Sequence, residues 1–205
     1  MLRRSLLVVS ILALGAFCLP CRAQDPFQQE ADQLASLLQW HPGSVVGEVG
    51  AGGGQLTLDT AERVGASGKV YTNELDPQKL TGLQKLAGDH SNVVAIQGTE
   101  SSTNFPAGCC ESIFMRLVYH HFTKPAEMDA SLFRSLRPGG RLAVIDEEPR
   151  PGSSIPDGVP KNRMGHGIPQ KVLIDEITRA GFKVESAHDD WPNQLYCVVF
   201  TKPKP

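Results

Sequence analysis

The chain has 205 residues, 40% of them apolar and 20% charged, with a formal charge of -2. A chain of this length and composition folds around one core, and its apolar content excludes an intrinsically disordered protein. The mildly acidic balance leaves no basic face for a phosphate backbone, so no nucleic-acid partner is expected.

The first segment stands apart from the fold. Residues 1–23 run from Arg3 and Arg4 through the apolar "LLVVSILALGAFCLP" to a small-residue end at "CRA", the pattern of a secretory signal cleaved after Ala23. The expectation is an exported protein, periplasmic or secreted, with no stable membrane contact once the signal is gone. An uncleaved anchor is the alternative, although the apolar run is short against the roughly 20 residues of a membrane span. Its removal takes away three arginines and no acids, moving the formal charge from -2 to -5, and leaves Cys109, Cys110 and Cys197. An odd count without C-x-x-C points to neither a disulfide framework nor a zinc site, so all three are expected to be plain buried thiols.

Within residues 24–43, "FQQEADQLASLLQW" places Leu34, Leu37, Leu38 and Trp40 at helical spacing, and "HPG" stops it. This helix is expected to cover the front of the domain, residues 44–205. There short apolar runs alternate with helical segments, the signature of parallel strands joined by crossover helices. The expected strands are "SVVGEV", "KVYTNEL", "NVVAIQ", "ESIFMRL" and "GRLAVIDE", with helices near residues 55–65, 77–87 and 124–136. Residues 148–168 hold four prolines and four glycines, too many for a regular element, and read as an active-site loop. A helix in "PQKVLIDEITRAGF", stopped by Gly181, and two strands, "KVESAH" and "LYCVVFTK", complete the domain.

The turn after the first strand, "VGAGGGQ", carries the first chemical signal. Glycines between a strand and a helix let backbone N–H groups approach a ligand closely, which makes a nucleotide-like ligand the default. The dinucleotide fingerprint G-x-G-x-x-G fails at Gln55; the turn reads G-x-G-x-G through Gly50, Gly52 and Gly54. Glu48, two residues ahead, would repel a pyrophosphate and attract an ammonium or sulfonium. Glu74, at the end of the second strand, can hold two ribose hydroxyls through its two oxygens.

These segments, with "ESIFMRLVYHHFTKPAEMDASLFRSLRPGGRLAVIDEEP" and the closing "AGF…YCVVFTKP", resemble class I S-adenosylmethionine-dependent methyltransferases, and among them the small single-domain type 11 and quinone-biosynthesis branch. The resemblance spans about residues 40–203. It implies a Rossmann-like, doubly wound, mostly parallel seven-stranded α/β sheet with the last strand antiparallel and helices on both faces. It also implies S-adenosyl-L-methionine as cofactor and a small molecule as methyl acceptor. Glu48, Gly50, Gly52 and Gly54 match the motif that cradles the methionine part of the cofactor, and Glu74 matches the ribose-binding acid. At the adenine side Thr99 stands where the family has an acid, with Glu100 one residue along. Arg116 and Leu117 match the floor below the sulfonium.

Methyl transfer is an in-line displacement, in which the protein holds nucleophile, methyl and sulfur collinear. A base is needed if the acceptor must lose a proton, and histidine suits that task. The candidates are His120 and His121 in "VYHHFTK", just past the fourth strand, and His166 in "MGHGI" within the Pro/Gly loop, with His120 the first choice. A magnesium site drawn from Asp146, Glu147, His120 and His121 would follow catechol-type methyltransferases, but those space their acids differently, so no metal is expected. Two competing functions are an exported binding protein that keeps the fold without turnover and a nicotinamide-dependent oxidoreductase. The mismatch at Gln55 and the acid at Glu48 argue against the second.

Overall fold

The structure, a computed structural model, describes residues 26–205; the signal read at residues 1–23 lies outside them. Seven strands form one sheet: β1 (Val45–Val49), β2 (Lys69–Glu74), β3 (Val93–Gln97), β4 (Cys110–Arg116), β5 (Leu136–Asp146), β6 (Lys183–Trp191) and β7 (Leu195–Thr201). Five helices flank it: α1 (Pro26–Leu37), α2 (Gln55–Val64), α3 (Pro77–Asp89), α4 (Pro125–Ser135) and α5 (Gln170–Arg179). The strand order is β3-β2-β1-β4-β5-β7-β6. β1 to β5 pair in parallel, and β7 runs antiparallel between β5 and β6. This is the doubly wound α/β fold expected from the sequence.

Period-two alternation sorts the central strands onto two cores. Ile113 and Met115 of β4 and Leu142 and Val144 of β5 face α4 and α5, meeting Met128, Leu132, Leu173 and Ile177. Phe114, Ala143 and Ile145 face the other way, where Ala31, Leu34 and Leu38 of α1 and Leu56, Ala61 and Val64 of α2 cover them. α1 is thus bound into the body of the domain. Buried Glu30 accepts from the Arg116 Nε at 2.8 and 2.9 Å and from the Trp191 indole at 3.1 Å. Trp191 is buried at the end of β6 and packs into this second core. Among the described residues, no helix is long and apolar enough to cross a membrane.

α3 begins with Pro77 behind Asp76, whose side chain accepts from the Gln78 N–H at 2.7 Å. That is an N-cap joined to a first-turn proline, so Asp76→Ala is expected to lower stability by about 1 kcal/mol. Urea unfolding checks it through a lower midpoint at unchanged slope.

Two local expectations need correction. β5 starts at Leu136 directly after α4, where the sequence suggested a turn up to Gly140. Leu136 pairs with Cys110 and Arg141 with Ser112, so a bulge containing Pro138 and left-handed Gly139 (φ 79°) is absorbed within the strand. Cys109 and Cys110 are bonded to each other, while Cys197 is free and buried. Alternation would put strand neighbours on opposite faces, but Cys109 lies just before β4 begins and is not bound by it.

Candidate active site

Strand order reverses between β1 and β4, and in open α/β sheets the crevice at that reversal, beyond the C-terminal strand ends, receives the ligand. A cavity of about 350 Å³ opens there, near the lower end of the usual small-molecule range of roughly 300–1,000 Å³. Its walls come from Gly50 and Gly52 after β1, Asn73, Glu74 and Lys79 around the end of β2, and Gly98, Thr99 and Glu100 after β3. Arg116, Leu117, Val118, His121 and Phe122 after β4 close it.

The glycine turn is built for close approach. Gly50, Gly52 and Gly54 have φ of 69°, 57° and 80°, left-handed values that glycine adopts without strain. A Cβ on Gly50 would stand 2.6 Å from the Val118 side chain, whereas one on Gly52 would meet nothing within 4 Å, so Gly52 presents bare backbone to the cavity. Opposite stands Glu74, 8% exposed, whose Oε1 accepts from the Gly52 N–H at 2.6 Å and whose Oε2 accepts from the Leu75 N–H at 3.1 Å. Each carboxylate oxygen has a second lone pair, so both can accept a ribose hydroxyl while held in place. Leu117, on the opposite wall, has φ 55°, a left-handed value for a non-glycine residue, held by its N–H to the Ile145 carbonyl at 2.8 Å. Strain of this kind gathers where a chain is bent to serve a site.

Two predicted cofactor residues sit one layer back. Gly54 packs under α3, where a Cβ would come within 2.7 Å of Leu86. Glu48 is 4% exposed and accepts from the Thr57 hydroxyl, which also contacts Thr72 at 3.3 Å. Burial, with the Glu74 charge adding to it, pushes Glu48 up from 4.5 to about 8, against the opposing Thr57 hydrogen bond. At neutral pH Glu48 is therefore mostly protonated, and it braces the turn from beneath. Because the folded chain holds this proton more tightly than the unfolded one, stability falls as pH rises from about 4.5 to about 8. The slope reaches up to about 1.4 kcal/mol per pH unit, and Glu48→Gln is expected to remove that component in urea titrations run across the interval.

The other predicted positions lie on the rim. Thr99 and Glu100 line the cavity and are exposed, Glu100 standing 3.8 Å from Lys124. Arg116 lines it too, clamped by Glu30 and set 5.5 Å over the Phe27 ring. Asn73 and Lys79 escaped the sequence reading. Asn73 accepts from the Gly50 N–H at 3.0 Å and donates to the Thr103 carbonyl at 2.9 Å, locking the turn to the next segment.

The three candidate histidines meet. Ring centroids are 4.0 Å apart for His120 and His121, 4.7 Å for His120 and His166, and 5.3 Å for His121 and His166. His120 is 1% exposed, and its Nδ1 lies 2.6 Å from Asp146 Oδ1. His166 Nδ1 lies 3.3 Å from Glu147 Oε1. Asp146 and Glu147, grouped at the sequence level with His120 and His121 as oxygen ligands, therefore stand behind the imidazoles. His121 borders the cavity, and burial followed by the two neighbouring rings holds it below the usual histidine range. His166 reaches the cluster because the loop of residues 148–168 is pinned: its Arg163, fully buried, grips Glu176 of α5 at 2.7 and 2.9 Å.

Residues 47–144 match the family model described as a methyltransferase domain. The chain is 31% identical over 107 residues to the ubiquinone/menaquinone biosynthesis C-methyltransferase UbiE of Marinomonas sp. (strain MWYL1), covering 51% of this chain and 43% of that protein. It thus spans less than half the length of the curated relatives it matches. Among solved structures, an S-adenosylmethionine-dependent methyltransferase from Aquifex aeolicus superposes with a TM-score of 0.70 at 20% identity, over 86% of this chain and 93% of that one. A possible exported protein from Bordetella parapertussis superposes with a TM-score of 0.66 at 17% identity, over 86% of this chain and 67% of that one. The solved structures share the fold of this chain, and the match to the methyltransferase domain model runs from the first parallel strand through most of the fifth. The bare backbone at Gly52 and the doubly braced Glu74 together present an open edge of the cavity to a ligand.

Proposed function

We propose that this chain is a methyltransferase that uses S-adenosyl-L-methionine to methylate a small molecule. The observation that carries the reading is Glu74: a carboxylate fixed by two backbone N–H groups at the cavity edge, opposite the Gly52 backbone. The cofactor, when bound, supplies an electrophilic methyl group on a cationic sulfur. Gly52, Glu74, Thr99 and Glu100 would hold its methionine, ribose and adenine parts in that order around the cavity. Arg116, Leu117 and Val118 form the opposite wall and exclude water from the reacting end. The acceptor enters beside His121, where the histidine cluster orients and activates its nucleophilic atom. Incubation of the full chain with S-adenosylmethionine labelled in the methyl group and a panel of small-molecule acceptors tests this reading; label in a small-molecule product supports it, and label retained entirely in the cofactor with every acceptor contradicts it.

We further propose export through residues 1–23. The motif itself supports the reading, a basic start, an apolar run and a small-residue end, and one neighbour in fold, from Bordetella parapertussis, is described as a possible exported protein. The mass of the mature chain from cell fractions tests it: a product starting at Gln24 outside the cytoplasm is expected, and an intact Met1 inside it contradicts export.

A further inference from the structure

We propose that His120, His121 and His166 are the ligands of a zinc-type divalent metal centre at the acceptor end of the cavity. One nitrogen from each ring lies within 4.8 Å of one from each of the others. Tetrahedral zinc with nitrogen at about 2.0–2.1 Å sets its ligands about 3.3 Å apart, so the rings have to close inward by about an ångström. Two side chains have room to turn that far on a fixed backbone: His121 is exposed, and the His166 ring is partly exposed. The third is fixed and acts as the anchor.

His120 carries the strongest evidence. With Nδ1 held by Asp146 at 2.6 Å, its Nε2 is the nitrogen left to coordinate, and that atom is buried without a hydrogen-bond partner. A buried polar atom left unpaired is destabilising, and a cation is a partner that fits an imidazole lone pair. The carboxylates behind the rings are also in place. Asp146 behind His120 and Glu147 behind His166 reproduce the carboxylate–histidine–metal arrangement, in which the acid fixes the tautomer and turns the far nitrogen toward the ion. Asp146 is itself held by the His120 and Glu147 N–H groups at 3.2 and 2.8 Å. Two carboxylates behind three neutral rings offset the charge of a divalent ion.

Three neutral imidazoles leave a fourth position open, the pattern of catalytic zinc. Resting on the methyltransferase reading, that position takes an O–H or S–H group of the acceptor beside His121, which borders the cofactor cavity. Coordination releases the acceptor's proton to solvent. The acceptor oxygen or sulfur then bonds to the methyl carbon, while the carbon–sulfur bond of the sulfonium breaks with its electron pair going to sulfur, leaving a neutral thioether.

The test uses the full chain, purified without a histidine tag and stripped with chelator, titrated with Zn²⁺ by calorimetry and with Co²⁺ by visible absorption. One metal per chain and the intense visible bands of four-coordinate Co²⁺ are expected. His121→Ala and His166→Ala should each weaken binding by about 100-fold or more, and Glu147→Gln by about 10- to 100-fold, with circular dichroism unchanged. No stoichiometric binding at micromolar metal, or binding untouched in both histidine variants, overturns the proposal. S-adenosylmethionine binding to the stripped wild type is measured in parallel, so a failed metal site and a failed cofactor reading give different results.

Discussion

Arg163→Ala is expected to lower stability by about 3 to 5 kcal/mol, the scale for removing one partner of a buried ion pair. For a chain of this size that moves the thermal midpoint down by roughly 6 to 20 °C. Arg163 is 0% exposed and makes a two-pronged contact with Glu176, which also receives the Tyr119 hydroxyl at 3.2 Å. The same hydroxyl lies 2.9 Å from buried Asp129. Without the guanidinium two carboxylates face each other in a low dielectric. Burial, followed by Glu176, already pushes Asp129 up from 3.8 to about 7 against the Tyr119 hydrogen bond and the Arg163 charge. Its proton is held more tightly in the folded state, so this group's stabilising share declines as pH rises from about 3.8 to about 7. Loss of Arg163 should carry the decline to higher pH. Arg163→Lys keeps the charge but not the fork, and should recover only part of the loss. The functional consequence is local: Arg163 ties down the loop that delivers His166, so thermal melts should be paired with limited proteolysis of residues 148–168, which the alanine variant should expose.

Glu74→Ala is expected to weaken S-adenosylmethionine binding by about 2 to 4 kcal/mol, roughly 30- to 1,000-fold, because two hydrogen bonds to a charged acceptor are lost. The wild type should bind in the micromolar range, about -8 kcal/mol. The substitution also frees the Gly52 and Leu75 N–H groups, so the turn loses its brace as well as the ribose its partner. Glu74→Gln separates the two effects. It keeps an oxygen for one backbone donor while losing the charge, and should fall between alanine and wild type. Equal affinity in all three would remove the ribose assignment.

The legible parts of this chain are those set by local pattern. The short apolar runs "SIFM" and "LAVI" located the central strands, and Glu74 could be named as a candidate ribose acid from its place at the end of β2. Glu48 was legible as a residue but not in its state, since its displacement to about 8 depends on burial that a string of letters does not show. Asn73 was missed because its partners, Gly50 and Thr103, are 23 and 30 residues away. For the same reason the histidines could be named as candidates, while the carboxylates behind them, at separations of 26 and 19 residues, were assigned to a different role. The Arg163–Glu176 pair left no local signal because the loop around it has no period. The start of β5 was misplaced because Pro138, Gly139 and Gly140 carry turn chemistry that the strand accommodates as a bulge.

The central claim is that the bend after β1 and the carboxylate facing it receive S-adenosylmethionine. Calorimetric titration of the full chain with S-adenosylmethionine, its demethylated product and NAD, each in turn, tests it most directly. Micromolar binding of the first two with no heat from NAD is predicted. Binding of NAD without either sulfur compound would contradict it.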